Sequence, residues 1–114
     1  MRLLLILLLL PLPALAQRVQ ADVRCKPAGQ DYIYNCVITL AHNGEPLDGA
    51  QVSVGADMPS MPMAHNVKPV KARPGKNPGE YLARLDLEMQ GEWLVKLRIS
   101  GPVRDQVVKK LRFN

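Results

Sequence analysis

The chain has 114 residues, including ten prolines and eight glycines, and its lysines and arginines exceed its acidic residues by five. This length provides one small domain and excludes two independent cores. The basic residues are scattered and only five residues are aromatic. This excludes nucleic-acid binding, which needs a clustered basic stripe with stacking aromatics.

Residues 1–16 have the pattern of a secretory signal peptide. A short positive start precedes residues 3–10, an unbroken apolar run that is too short for a bilayer core of about 30 Å. A small-x-small cleavage signal then ends at Ala16. We therefore expect a periplasmic protein whose single mature domain, residues 17–114, does not itself span a membrane. An uncleaved N-terminal anchor is the alternative.

Two cysteines, Cys25 and Cys36, follow this leader. Each lies in the apolar phase of a segment with strand-like alternation, so both side chains should point inward. An even cysteine count in an oxidising compartment predicts a disulfide between them. Buried free thiols and thiolate metal ligands are the alternatives, although the CxxC spacing of many metal sites is missing.

Clusters of proline, glycine and asparagine divide the mature chain into seven strand-like segments. Their approximate bounds are 18–25, 31–41, 50–56, 64–72, 80–88, 92–100 and 106–113. Several alternate apolar and polar residues, which is typical of a sheet with one buried face. This predicts an all-β fold, an immunoglobulin-like antiparallel β-sandwich of about seven strands with Trp93 in the core. The last segment also fits a helix, and a small half-open barrel is the alternative fold.

Catalytic motifs are scarce in this sequence. It has no G-x-S-x-G elbow, HExxH motif, phosphate-binding Walker loop or dinucleotide glycine fingerprint. Asp86 and Glu88 are two residues apart on a predicted strand, so both should face solvent rather than form a catalytic pair. The sequence therefore predicts a protein that is not an enzyme.

Residues 58–65, here called the methionine segment, concentrate methionines between prolines. The potential donors are Met58, Met61, Met63 and His65, and the remaining mature methionine is Met89. The prolines favour an extended chain outside any central strand. In such a chain Met61, Met63 and His65 point the same way. Met58 is out of phase and needs a bend at Pro59-Ser60 to join them.

Thioether donors suit a particular metal. They are soft and neutral, which favours Cu(I), and they are not lost to disulfides in an oxidising compartment. One imidazole adds a ligand that also holds Cu(II). The segment therefore predicts copper as the bound ion, Cu(I) first and Cu(II) also open, on a carrier that must release it. The alternatives are methionines that fill gaps in the core or form an adaptable partner surface.

Three successive motifs resemble the YtkA-like and FixH-like families. They are Met-Pro-x-Met-Pro-Met at 58–63, Gly-x-Tyr at 79–81 and Met-x-Gly-x-Trp at 89–93. The resemblance implies an immunoglobulin-like sandwich and a role in copper handling, linked to copper efflux systems or haem-copper oxidase assembly. FixH-like proteins usually keep a transmembrane anchor, whereas this leader carries a cleavage signal.

The resemblance also implies a set of ligands. These are Met58, Met61 and Met63, with His65 adjacent and Met89 as a further candidate. We therefore expect an exported protein that carries or sequesters copper and exchanges it with a periplasmic or inner-membrane protein. The alternative is a metal-free immunoglobulin-like interaction module whose Met/Pro loop docks on a membrane-protein partner.

Overall fold

The computed structural model of the protein describes residues 18–61 and 66–114. Within them, two antiparallel sheets pack against each other, which confirms the all-β prediction. The expectations for the leader and for Met63 and His65 lie outside the described residues. The described part contains no helix that is long and apolar enough to cross a membrane.

Nine strands make up the two sheets. The first sheet contains β1 (Gln20–Pro27), β2 (Ile33–His42), β3 (Glu45–Pro46), β6 (Arg73–Pro74) and β7 (Glu80–Asp86). The second contains β4 (Gln51–Asp57), β5 (Asn66–Lys71), β8 (Gly91–Ser100) and β9 (Asp105–Phe113). The strand order is β1-β2-β7-β6 in the first sheet, with β3 paired to the end of β2, and β5-β4-β8-β9 in the second.

Seven of these nine strands correspond to the predicted segments, including β9, the segment that also fitted a helix. The two additional strands, β3 and β6, are each two residues long. A strand of that length has no alternation to reveal it in a sequence, because a period of two needs several residues to become visible.

The core lies between the inner faces of the two sheets. From Trp93 onwards every second residue of β8 is fully buried, namely Trp93, Val95, Leu97 and Ile99. The indole N–H of Trp93 has no hydrogen-bond partner among the described residues. This ring therefore contributes through apolar burial alone, at about 25 cal/mol per Å². Asp86 and Glu88 are exposed, as predicted.

The Gly-x-Tyr motif holds the connection between β3 and β4 against β7. The buried hydroxyl of Tyr81 donates to the Leu47 carbonyl at 2.7 Å and accepts from the Ala50 N–H at 3.0 Å. Gly79 has a φ of 73°, and a Cβ there would lie 2.6 Å from the Leu40 carbonyl oxygen. Only glycine fits this close approach of two backbones, so the motif has a structural role.

A disulfide joins Cys25 to Cys36, as predicted. Neither free-thiol nor thiolate alternatives apply, because the described chain has no free cysteine. The two cysteines are directly opposite each other in the register of β1 and β2. Cys36 is buried, whereas Cys25 is only partly buried against the core. The bridge therefore ties the edge strand β1 to its neighbour within one sheet.

Asp105 holds the residues before β1 against the start of β9. The Val19 N–H donates to Asp105 Oδ2 at 2.8 Å, and the Arg18 guanidinium donates to the Gln106 carbonyl at 2.8 Å. The hydrogen bond from Val19 is the main cause that holds the pKa of Asp105 below its ordinary value, with help from the Gln106 N–H and the Arg18 charge. Ionised Asp105 therefore stabilises the fold.

We expect Cys36→Ser to lower the free energy of unfolding by about 2–3 kcal/mol, because the bridge closes a short loop in the unfolded chain. Chemical denaturation of the two proteins measures the difference. Reduction of the wild type by dithiothreitol should reproduce most of the loss. Equal stability of the oxidised and reduced wild type would contradict the prediction.

Asp105→Asn should change how stability depends on pH. A carboxylate with a lowered pKa stabilises the fold above its unfolded pKa of about 4 and loses this effect as pH falls through the lowered value. The wild type should therefore melt at a higher temperature than Asp105→Asn at neutral pH, and the gap should close below about pH 4. Thermal melts between neutral pH and pH 2.5 test this, and a pH-independent gap would refute it.

Candidate metal centre

The methionine segment connects β4 to β5 at one end of the sandwich. β4 ends at Asp57, which pairs with Asn66 of β5 and with Leu94 of β8. The connection between β7 and β8, which contains Met89, lies at this same end because β8 begins at Gly91. The fold therefore brings Met58, Met61 and Met89 to one end of the second sheet.

A tight turn begins directly after β4. The Met61 N–H donates to the Met58 carbonyl at 3.1 Å, which places Pro59 and Ser60 at the two central positions. Proline is favoured at the first central position because its fixed φ matches the turn. The bend at Pro59-Ser60 that Met58 needed is therefore present, and residues 58–61 form a turn where an extended chain was expected.

Met58 packs inward on this turn. Its side chain is only 4% exposed and belongs to the core. A Cβ built on Gly91 would lie 2.7 Å from the terminal Cε of Met58, and Gly91 has a φ of 133°. The glycine of Met-x-Gly-x-Trp thus leaves the space that the Met58 methyl group occupies. In this arrangement the Met58 thioether anchors the turn instead of facing solvent.

The other methionines differ in exposure. Met61 is 40% exposed, whereas Met89 is partly buried and packs against the core. The Met58 methyl group therefore lies against the backbone of Gly91, two residues after Met89. Met61, by contrast, lies on the surface. The prediction that the side chains of Met61, Met63 and His65 point the same way stays a prediction, because Met63 and His65 lie outside the described residues.

The potential metal ligands described at this end of the sandwich are thioethers rather than a cluster of carboxylates, imidazoles or thiolates. Asp57 forms an ion pair with Lys96 at the base of the methionine segment. Among residues 18–61 and 66–114, no three His, Cys, Asp or Glu side chains come together as a metal site. Both cysteine sulfurs are committed to the disulfide. The soft donors described at this end are thioethers, whose chemistry fits Cu(I) better than Zn(II).

The sequence did not reveal which methionine would be buried. A thioether is apolar enough for a core and soft enough for copper, so composition alone does not separate the two uses. Gly91 gives no separate signal, because a glycine at the start of a strand is typical of a turn.

We expect Gly91→Ala to displace the Met58 methyl group and to lower stability by about 1–3 kcal/mol, since alanine is strained at this φ. Gly101→Ala is a matched control, because Gly101 also has a positive φ, 107°, but approaches the Gly49 carbonyl oxygen. In spectra of protein labelled with ¹³C at the methionine methyl groups, Gly91→Ala should shift the Met58 signal and Gly101→Ala should not. An unshifted Met58 signal in Gly91→Ala would contradict the described packing.

A comparison with protein families gives a match. The model of the YtkA-like family matches residues 17–98, a range that contains the methionine segment and both glycine motifs. No curated protein and no solved structure shows significant similarity to the chain. Since the matched range covers well over half of the 114 residues, the chain belongs to the YtkA-like family.

Proposed function

We propose that this protein is an exported copper-binding protein that carries or sequesters Cu(I) at the methionine segment. The observation that most supports this is the exposed side chain of Met61, the last residue of a turn that Met58 anchors in the core. An exposed donor next to a fixed turn is available to an incoming ion. Membership in the YtkA-like family supports the same function.

The proposed donors have unequal roles. Met61, Met63 and His65 supply the main ligands, because an extended chain would place alternate residues about 6–7 Å apart on one side. Two flexible thioethers close that distance on one ion. Met58 holds the turn and would reach the ion only by leaving Gly91, while Met89 borders the site from the adjoining connection.

This donor set suits a cargo that must be released. Thioethers bind Cu(I) without a proton to lose, so binding persists in acidic conditions, and they hold hard cations weakly. His65 adds an imidazole that also serves Cu(II). The copper is therefore proposed as cargo rather than as the cofactor of a reaction, and the protein is proposed not to be an enzyme. Its partner would be a periplasmic or inner-membrane protein of copper efflux or of haem-copper oxidase assembly.

A second candidate function is that of a metal-free interaction module. Tyr32 is 40% exposed like Met61. Its carbonyl accepts a hydrogen bond from the N–H of Leu87, so Tyr32 lies beside the β7–β8 connection that contains Met89. Exposed methionine and tyrosine together form an adaptable apolar surface for a protein partner. Copper titration separates this function from the proposed one.

We expect the double variant Met61→Leu/Met63→Leu to lose tight Cu(I) binding while its melting temperature stays close to that of the wild type. Leucine conserves the volume of methionine and costs under about 1.5 kcal/mol even in a core, and Met61 is exposed. Competition for Cu(I) against a chromophoric chelator measures the affinity. Retained affinity in the double variant would reject the methionine site.

Two single variants sharpen this test. Met58→Leu makes the same chemical change at a buried position, so it should alter the melt more than the Cu(I) affinity. His65→Ala should weaken Cu(II) binding more than Cu(I) binding, since imidazole suits the harder ion. Zn(II) should bind the wild type much more weakly than Cu(I). If neither copper ion binds the wild type, the interaction module is the better description.

A further inference from the structure

The outer face of the second sheet contains a hollow of about 480 Å³. It forms where a β-bulge interrupts the pairing of β4 and β5. Val54 pairs with Val70 and Ala56 pairs with Val67, so that two residues of β5 lie opposite Gly55 alone. A bulge bends its strand and increases the local twist, which here gives the otherwise regular face a concave site.

The floor of the hollow is open because Gly55 has no side chain. The nearest atoms that a Cβ at this position would meet are the Pro69 side chain at 3.6 Å and the Val67 carbonyl oxygen at 3.7 Å, both ordinary contacts. The backbone of Gly55 is not among those with a positive φ. Neither backbone conformation nor crowding therefore requires glycine here, and the residue's effect is to leave space.

The charged side chains that line the hollow are mainly cationic. Lys68, Lys96 and Arg98 line it together with one carboxylate, that of Asp57, which pairs with Lys96. Arg98 lies between Ser53 and Gln106 in the register of the sheet. Among the described residues its guanidinium forms no hydrogen bond or ion pair with either side chain or with any acid. An exposed guanidinium thus stands beside two neutral polar side chains at the mouth of the hollow.

Cations continue along the same face beyond the hollow. On β8 and β9, Glu92 pairs with Lys110, and Arg112 is opposite Glu92 in the register. Arg98 is six residues from Glu92 along β8, and Arg112 is opposite Glu92. The two arginines are therefore roughly 20 Å apart along the strand direction. The two acids of this face, Asp57 and Glu92, are each engaged by a lysine. We call the surface formed by Lys68, Lys96, Arg98, Lys110 and Arg112 the basic face.

We propose that the basic face docks an extended acidic segment of a partner protein, with one Asp or Glu carboxylate entering the hollow to bind Arg98. A guanidinium binds a carboxylate through paired hydrogen bonds. Cations spread over about 20 Å match several acidic residues in an extended chain. The concave shape favours a side chain over a flat bilayer surface, and the face carries no aromatic residue on which a nucleic-acid base would stack.

This docking surface does not depend on copper. It nevertheless borders the methionine segment, because Asp57 both lines the hollow and ends β4 directly before Met58. A partner held on the basic face would therefore lie beside the methionines. The experiment is done with protein free of metal, so the failure of one proposal leaves the other standing.

The test measures binding of a fluorescently labelled hexaglutamate peptide to the purified protein by anisotropy at low ionic strength. The wild type should bind, and added salt should weaken the complex. Arg98→Gln should raise Kd about fivefold, the effect of losing one exposed charge pair. Arg24→Gln is the matched control, since Arg24 is an exposed arginine on the first sheet, paired with Asp22, and its loss should change Kd little.

Gly55→Ala provides a second, uncharged test, because its methyl group fills the floor of the hollow without strain and should also raise Kd. Unchanged binding in this variant would overturn the hollow as the carboxylate site. Equal weakening by Arg98→Gln and Arg24→Gln would reduce the effect to net charge and overturn the proposal. The proposal would also be overturned if the wild type did not bind the peptide, or if it bound only vesicles containing phosphatidylglycerol.

Discussion

The contact between the Met58 methyl group and the backbone of Gly91 determines where the core of this protein ends, three residues before the exposed Met61. Because glycine at this position leaves the space for the thioether, β4 is tied to β8 one residue beyond its last pairing. The turn that follows is then fixed at its first residue. A copper site on a free loop would lose entropy on closing around the ion, whereas an anchored turn has already lost part of it.

The sequence was sufficient to predict the architecture because nearly every strand shows a period of two. The inward phase of β8, the disulfide and the exposed carboxylates of Asp86 and Glu88 all followed from that alternation and are confirmed. The candidate site was harder to predict. The burial of Met58 depends on a glycine more than thirty positions later, and no local pattern joins those two positions.

The basic face illustrates a second limit of local patterns. Its cations are scattered along the chain and look like ordinary surface charge. They come together only because antiparallel pairing places Arg98 beside residues of β4 and β9. The hollow has a similar origin, since a bulge arises from a mismatch between two strands and neither strand shows it alone. Features that depend on register between distant segments are therefore the part that sequence reasoning misses.

The bulge in β5 has a consequence for how this protein meets other chains. An edge strand normally offers a row of unpaired N–H and C=O groups on which a foreign strand can add. In β5 that row is broken, because Pro69 has no N–H and the bulge disturbs the spacing on either side of it. Lysines at positions 68 and 71 add like charges that repel a second copy. At this edge the sandwich therefore resists sheet-to-sheet aggregation, and a protein that approaches here meets side chains rather than a template for another strand.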